Sequence, residues 1–214
     1  MTTHPSLFNV ALTGLRRRVV PARSADVPGG LHRTIIPMPE PHVDTENFRA
    51  AMRFLPSPVS VVTAMDERGI PRGLTCSALC SLSMAPPSML ICVNRQNRSL
   101  DAIRHSKGFL VNLLRAGRVE MSEVFASALP TKFANATWQP SPASGLPLLI
   151  QDALAFVDCG LQAEIEVGSH AILVGLVRGS GIETPDGGPL VYWCRSYGKW
   201  AAHDNAEGEE NDQG

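Results

Sequence analysis

The sequence lacks any apolar run approaching the roughly 18 residues that a membrane-spanning helix needs, so no membrane association is predicted. Its formal net charge of −1 leaves no excess of Lys and Arg, and nucleic acid is therefore not an expected partner. The GxGxxG and Walker patterns that bind phosphate are also missing, so a doubly wound dinucleotide-binding fold is not supported. What remains is an ordinary globular composition, with 44% hydrophobic residues.

The cysteines are few and scattered. They are Cys76, Cys80, Cys92, Cys159 and Cys194. An odd number, with no second cluster and no histidine at ligand spacing, favours neither a disulfide framework nor a metal site. Free thiols, mostly buried, in a reducing cytoplasm are the better interpretation, and the predicted location is cytoplasmic with no metal.

The two ends of the chain differ in charge from the middle. Residues 1–40 contain five Arg and two acidic residues, with many Pro and Gly, whereas residues 201–214 contain five acidic residues and no Lys or Arg. Both compositions are typical of solvated, disordered segments. The basic residues follow the apolar LFNVAL instead of preceding it, which does not fit a secretory signal. We predict a disordered extension over 1–40, one globular domain over 41–200, and an acidic tail over 201–214.

Three short helices are predicted in the globular part. The first begins at Asp44 or Thr45 and ends before Pro56, with apolar residues at helical spacing. A second covers 99–106, with Ser99 as its N-cap, and a third covers 117–127.

The rest of the signal is β. Apolar or β-branched runs bounded by turn residues are found at 58–66, 73–83, 88–94, 109–115, 153–167, 171–183 and 189–194. Strands in this number with only short helices between them predict a mainly β, antiparallel barrel and not a βαβ repeat.

The run GLTCSALCSLS (73–83) alternates apolar residues with hydroxyls and carries no charge. Alternate side chains of a strand point to opposite faces, so we expect the even positions 74–82, Cys80 among them, to enter the core. The hydroxyls would line the other face with short neutral donors, which suits a flat polar ligand or a phosphate. A Ser- and Thr-rich solvent face, or cross-strand hydroxyl pairing, explains the same pattern.

The order of these segments resembles the short-chain flavin reductase family. The similar pieces are PVSVVT, GLTCSALCSLSMAPP with its following strand, NRSLDAI, SKGFLVNLL, GSHAILVG and PLVY, which together run from about Phe48 to Trp200. The resemblance implies the FMN-binding split-barrel fold. It also implies a homodimer that uses NADH or NADPH to reduce FAD or FMN, with reduced flavin passing to a flavin-dependent monooxygenase.

The resemblance also implies a set of cofactor-binding residues. At the ring edge these are Ser57, Pro58, Val59 and Ser60; around the ring edge, ribityl chain and phosphate they are Thr75, Cys76, Ser77, Ala78, Ser81 and Ser83. Asn97, Arg98 and Ser99 would reach the phosphate or adenine end at a helix N-terminus. Lys132, Phe133, His170 and Tyr197 would lie at the nicotinamide, with His170 the candidate catalytic residue.

The sequence departs from the family pattern at two positions. Pro58 stands where a Gly often precedes the Val of the first strand, and Ser169 replaces the acidic residue of a GDH motif. A flavin-binding carrier or sensor without turnover is the alternative function. A split-barrel oxidoreductase acting on pyridoxal-type or deazaflavin substrates is less supported. Glu164 and Glu166 share one strand face, which we expect to be exposed to solvent; a carboxylate pair for acid–base chemistry is the alternative interpretation.

Overall fold

The computed structural model describes residues 31–38 and 43–200. The helices of this part are α1 (Thr45–Met52), α2 (Ser99–Ser106) and α3 (Val119–Ala126). Its strands are β1 (His32–Ile36), β2 (Ser57–Pro58), β3 (Ser60–Met65), β4 (Pro71–Cys76), β5 (Leu79–Met84), β6 (Pro87–Asn94), β7 (Gly108–Leu114), β8 (Gln139–Pro140), β9 (Pro147–Leu148), β10 (Ala153–Val167), β11 (His170–Ile182), β12 (Leu190–Trp193) and β13 (Ser196–Lys199). The predicted mainly β class is confirmed. None of the described helices is long and apolar enough to span a bilayer.

One large antiparallel sheet forms the body of the domain. Seven of its strands are hydrogen-bonded in the order β4-β3-β7-β10-β11-β6-β5. The two outermost strands, β4 and β5, are consecutive in the chain, and Ser77 and Ala78 alone separate them. The sheet curls so that its edges meet there: the Cys76 thiol of β4 donates to the Cys92 carbonyl of β6 over 3.7 Å, and the Cys92 N–H donates to the Ala78 carbonyl over 2.8 Å. We call Ser77–Ala78 the split corner, because it bridges the two edges of the barrel.

The inside of the barrel is a continuous apolar core. Val62, Ile91, Phe109 and Leu173 come from four different strands and are fully buried. Helix α2 packs across β3 and β4 and contributes Leu100 and Ile103 to the same core, which closes one end of the barrel. Burial of this apolar surface, at roughly 25 cal/mol per Å², is the main force holding the barrel together.

A second apolar cluster lies outside the barrel. Phe125 of α3 packs there with Val59 and with Leu190 of the β12–β13 hairpin. β12 also pairs with β2, with Tyr192 opposite Ser57. This packing brings α3 and the hairpin next to the first residues of β3 and the middle of β4.

The faces of β5 differ from the prediction. Leu74 and Cys76 of β4 are buried as expected, but the alternation is interrupted at the split corner. In β5 it is Leu79 that packs against the core, whereas Cys80 and Leu82 are exposed. The prediction that Ala78, Cys80 and Leu82 face the core is therefore wrong, because the chain turns at Ser77–Ala78 and the alternation of an extended strand does not continue through a turn.

The predicted disordered extension over 1–40 is not correct throughout. Residues 32–36 form β1, which pairs in parallel with β10, from His32 opposite Ala163 to Ile36 opposite Val167. The predictions for residues 1–30 and for the tail 201–214 lie outside the described residues.

Most other elements match the sequence-based boundaries closely. Helix α2 and strand β10 have the predicted limits, whereas α3 is shorter at both ends than 117–127. The N-cap of α2 is Arg98 and not Ser99, and the Asn97 side chain accepts from the Ser99 N–H over 2.9 Å. The short strands β1, β2, β8, β9 and β13 were not predicted, because two to five residues carry too little periodicity.

Candidate functional site

The split corner exposes short polar side chains. Thr75 is half-buried and its hydroxyl donates to the Ser122 carbonyl over 2.5 Å, while Ser77 and Ala78 are exposed. Within residues 31–38 and 43–200 the Ser77 hydroxyl has no hydrogen-bond partner. Cys76 points inward, and burial raises the pKa of its thiol to about 11, so at neutral pH it is a neutral packing residue.

Two further hydroxyls follow in β5. Ser81 is exposed and, in the described part of the chain, its hydroxyl contacts no protein donor or acceptor. Ser83 is half-buried, and its Oγ accepts from the Ala85 N–H over 3.1 Å, which ties it to the following turn. A register shift in the β5–β6 ladder lies between these two serines. Ser77 and Ser81 are thus available to a ligand, and Ser83 is occupied.

The predicted ring-edge residues divide into two pairs. Ser57 is half-buried and Pro58 is exposed, so both border open space beside the β12–β13 hairpin. Val59 and Ser60 are buried: the Val59 N–H donates to the Leu190 carbonyl over 3.2 Å. The Ser60 hydroxyl donates to the Cys76 carbonyl over 2.6 Å. The second pair fixes the fold beneath the site and leaves the contact surface to the first.

The start of α2 offers one cation. The Asn97 side chain and carbonyl accept from the N–H groups of Ser99 and Leu100, at 2.9 Å each, so these two helix donors are satisfied internally. Ser99 itself is buried. Arg98 is exposed, and among the described residues its guanidinium has no partner. Placed at a helix N-terminus, it is the group best suited to an anion.

His170 begins β11 and faces solvent. Its Nδ1 lies 2.9 Å from the Ser169 hydroxyl, and the residue pairs with Asn94 of β6, three positions before Asn97. The fold therefore brings the predicted histidine to the same end of the sheet as the start of α2.

Tyr197 lies beside α3, next to the strand β4 that precedes the split corner. Its hydroxyl is 3.1 Å from Ser122 Oγ, and Ser122 also accepts from Thr75, so a short polar chain joins β13, α3 and β4. The Tyr192 ring packs edge-on against that of Tyr197, with centroids 5.0 Å apart. Ser122 is a residue that the sequence analysis missed, and it stands in VEMSEVFA with no distinguishing pattern.

Lys132 and Phe133 serve the packing of α3. The Lys132 ammonium donates to the carbonyls of Phe125 (2.8 Å) and Gly73 (3.2 Å), and burial lowers the pKa of Lys132. The Phe133 ring packs edge-on to Phe125 at 4.9 Å. Their role at a nicotinamide stays a prediction.

Glu164 and Glu166 were expected on a solvent face, and this expectation is wrong: they are 0% and 2% exposed. Both belong to a cluster with Arg33, Arg95 and Arg104, called here the Arg–Glu cluster. Arg104 Nε donates to Glu164 at 3.0 Å, Arg33 Nε to Glu166 at 3.0 Å, and Arg95 Nη2 lies 3.0 Å from the second Glu166 oxygen. Carboxylates are buried only when cations and hydrogen bonds compensate for lost hydration, as here.

Acid should weaken the fold partly through this cluster. Hydrogen bonds from Arg33, with the charges of Arg33, Arg95 and Arg104, hold the pKa of Glu166 below its usual range. A carboxylate with a lowered folded pKa stabilises the protein above its unfolded pKa, about 4.3, and the contribution is lost as pH falls through the folded value. We expect Glu166→Gln to flatten the dependence of Tm on pH below about pH 5, relative to the native chain.

The matched control for this prediction is Glu67→Gln, which changes an exposed carboxylate in the β3–β4 turn. Thermal melts between about pH 3 and pH 7 would show a native-like slope for this control. Equal slopes for Glu166→Gln and the native chain would contradict the assignment.

The described residues contain no group of three His, Cys, Asp or Glu side chains that could hold a metal ion. What the fold and site do define is a class: an antiparallel split barrel whose meeting edges carry exposed hydroxyls.

Comparison with known proteins supports this class. Flavin reductase (NADH) of Kitasatospora aureofaciens is 39% identical over 163 residues, covering 76% of this chain and 85% of that protein. Flavin reductase (NADPH) of Lentzea aerocolonigenes is 38% identical over 162 residues, covering 76% and 94%. The crystal structure of nitrilotriacetate monooxygenase component B from Mycobacterium thermoresistibile has a TM-score of 0.70 at 31% identity, over 79% of this chain and 94% of that one.

The family model described as "Flavin reductase like domain" matches residues 52–201. The chain belongs to the flavin reductase-like family, and the resemblance seen in the sequence is confirmed.

Proposed function

We propose that this protein is an NAD(P)H:flavin oxidoreductase that reduces FAD or FMN and passes the reduced flavin to a partner monooxygenase. The similar proteins are named flavin reductases of NADH and of NADPH, and one similar structure is a monooxygenase component. The observation that carries the proposal is the pair of hydroxyls of Ser77 in the split corner and Ser81 in β5, which no described protein group uses.

The residues present fit a flavin. Ser77, Ser81 and the half-buried Ser57 offer small donors and acceptors, and Ala78 beside Ser77 carries only a methyl group, which allows close approach of a flat ring at the split corner. Arg98 at the start of α2 would hold the phosphate, since guanidinium binds phosphate through paired N–H donors. The flavin, when bound, accepts the hydride that the nicotinamide supplies. The chain's own part is to bind, orient and partly cover the two rings.

His170 is the residue we assign to the nicotinamide side. It is exposed, and its ring is oriented by Ser169 Oγ at 2.9 Å. Because Ser169 is neutral, this contact orients the imidazole without the charge that an acidic neighbour would add. We therefore expect His170 to act in nucleotide positioning, with His170→Ala raising KM for the nicotinamide nucleotide.

The test is a direct assay of flavin-dependent nicotinamide oxidation. Purified protein is mixed with NADH or NADPH and with FAD or FMN, and the loss of nicotinamide absorbance is followed for each of the four pairs. Oxidation that requires both the protein and a flavin supports the proposal and assigns the preferred pair. Flavin binding without oxidation of either nucleotide would contradict it and favour a carrier or sensor.

We also propose a homodimer. Cys80 of β5, Leu90 and Cys92 of β6, and Ile172 and Val174 of β11 pair side by side and point away from the barrel core, which gives a largely apolar outer surface. Leu82 and Met84, which follow the register shift in β5, are exposed apolar residues at the end of the same edge strand. Continuous apolar surface of this kind marks interfaces. A second copy is the occupant we favour, since obligate dimers commonly bury over about 2,000 Å² of apolar-rich surface.

Leu82→Glu is expected to convert the dimer to a single chain. Leu82 is 50% exposed in one chain, so the substitution should leave the monomer's fold intact while burying a charge in the interface. The control is Ile70→Glu, at a residue 43% exposed in the turn before β4. Light scattering should give twice the chain mass for the native protein and the control. A single-chain mass for the native protein would refute the dimer.

A cytoplasmic location belongs to the same proposal. All five cysteines are free, which is typical of proteins in reducing compartments, but the prediction that most of them are buried is wrong, since only Cys76 and Cys159 are.

A further inference from the structure

Strand β1 covers an edge that the barrel leaves open. β10 is fifteen residues long, and its ladder with β7 runs from Ala153 to Gly160. Beyond that point β10 continues without β7, and β1 takes the vacated side by pairing with residues 163–167. The N-terminal segment is thus built into the sheet beside the loop that leads to α2.

One side chain of β1 reaches into the Arg–Glu cluster. Arg33 Nε and Nη2 both donate to Oε1 of Glu166, and Nε lies 3.8 Å from Glu164. The two carboxylates are almost fully buried, and Arg95 and Arg104 supply the other cations. The three cations and two buried anions give the cluster one net positive charge, and Arg104 also pairs with the exposed Asp101 of α2 at 3.2 Å. Removing the Arg33 charge removes that net positive charge.

Glu166 transmits this contact to two segments. Its second oxygen holds Arg95, which also donates from Nη1 to the Gly168 carbonyl over 3.2 Å. The Arg95 backbone N–H donates to the Ser169 carbonyl over 3.0 Å. Arg95 therefore fastens the loop that carries Asn97 and Arg98 to the turn that carries His170.

We propose that Arg33 is a positioning residue, which fixes the 95–98 loop and the 168–170 turn through Glu166 and Arg95 and so sets the affinity for anionic nucleotides. The inference rests on the proposed function for the nature of the ligand. Arg33 acts in two ways: it holds Glu166 in the geometry that binds Arg95, and it balances buried negative charge close to where a phosphate would bind. We expect both effects to change binding more than hydride transfer, because the Arg33 guanidinium hydrogen-bonds to Glu166 and not to His170 or Arg98.

The test compares Arg33→Gln with Arg33→Lys and with Arg72→Gln. Arg72 forms an ion pair with Asp66 at 2.7 Å in the β3–β4 turn, away from the cluster, so its loss controls for a general effect on stability. We expect Arg33→Gln to raise KM for NAD(P)H or flavin roughly 2- to 30-fold, the range of couplings carried through side-chain networks, with kcat within about 2-fold. Arg33→Lys keeps the charge and should recover part of the loss, and low salt should enlarge the effect.

Hydrogen–deuterium exchange supplies a readout independent of activity. In Arg33→Gln, amides of residues 94–99 and 167–171 should exchange faster, while Arg72→Gln leaves them unchanged. Unchanged KM and unchanged exchange in these segments would overturn the proposal. Changes in KM and exchange no larger than those of Arg72→Gln would overturn it as well. If the native protein oxidises neither nucleotide, the proposed function fails while exchange still decides the positioning role. Should Arg33→Gln not fold, Arg33→Lys decides by the same comparison.

Discussion

Replacing Ser77 with valine is expected to weaken flavin binding roughly 10- to 150-fold. Ser77 is exposed at the split corner, and within the described residues its hydroxyl makes no hydrogen bond to the protein. Removing the hydroxyl should therefore weaken ligand binding without breaking a bond that supports the fold. The expected partner of the hydroxyl is the flavin phosphate or the polar edge of the ring. A hydrogen bond to a charged group such as the phosphate is worth roughly 1.5–3 kcal/mol, which corresponds to that range of affinity. The fold should survive, because Ser77 lies outside the strands and valine suits the β-rich surroundings. Flavin dissociation constants measured by fluorescence quenching would show the effect.

Ser180→Val is the matched control for this substitution. Ser180 is an exposed serine of β11, at the opposite end of the strand from His170. It should keep native flavin affinity and native Tm. Equal affinities for the two variants would show that the split corner does not contact the flavin, and would move the site away from the hydroxyls.

Replacing Asn112 with alanine is expected to lower the free energy of unfolding by about 2–5 kcal/mol. Asn112 is fully buried in β7. Its amide donates to the Val61 carbonyl over 3.1 Å, and its Oδ1 accepts from the Leu149 N–H over 2.8 Å. Each buried backbone group left without a partner costs roughly 1–3 kcal/mol. For a domain of this size Tm should fall by about 5–20 °C.

Asn135→Ala controls for the loss of an amide side chain. Asn135 is exposed, and within residues 31–38 and 43–200 its side chain makes no hydrogen bond, so its replacement should change stability by less than about 0.5 kcal/mol. Denaturant or thermal unfolding of both variants gives the comparison. A similar small change for Asn112→Ala would mean that water or a neighbouring group replaces the lost partners.

Local pattern was sufficient for much of the fold. The apolar positions and flanking residues of α2 and β10 predicted both elements with their observed limits. The seven runs of β signal and the short helices between them predicted an antiparallel barrel, which the strand order confirms. These features depend on periodicity over six or more residues, and that information is contained in the segment itself.

The candidate site was predictable only in part. In β4 the alternation of Leu74, Thr75 and Cys76 matches their burial, because the strand is unbroken. In β5 the same alternation failed, since the chain turns at Ser77–Ala78 before the second strand begins. Leu79, an apolar residue at one of the odd positions otherwise occupied by hydroxyls, packs on the core. Alternation of apolar and polar residues in a sequence does not show that a turn of two small residues divides the strand.

The hydroxyl-rich segment, the flavin reductase-like family and the free cysteines could all be inferred from the order of residues along the chain. Folding alone revealed that Glu164 and Glu166 are buried, because their partners Arg33, Arg95 and Arg104 come from three distant segments. It likewise placed Ser122 between Thr75 and Tyr197, and Asn112 between β3 and Leu149, the residue after β9. A charged or amide side chain can be buried only where partners for its polar atoms lie within hydrogen-bond distance. Here those partners come from segments far apart in the chain, so the packed barrel determines them and the local sequence does not.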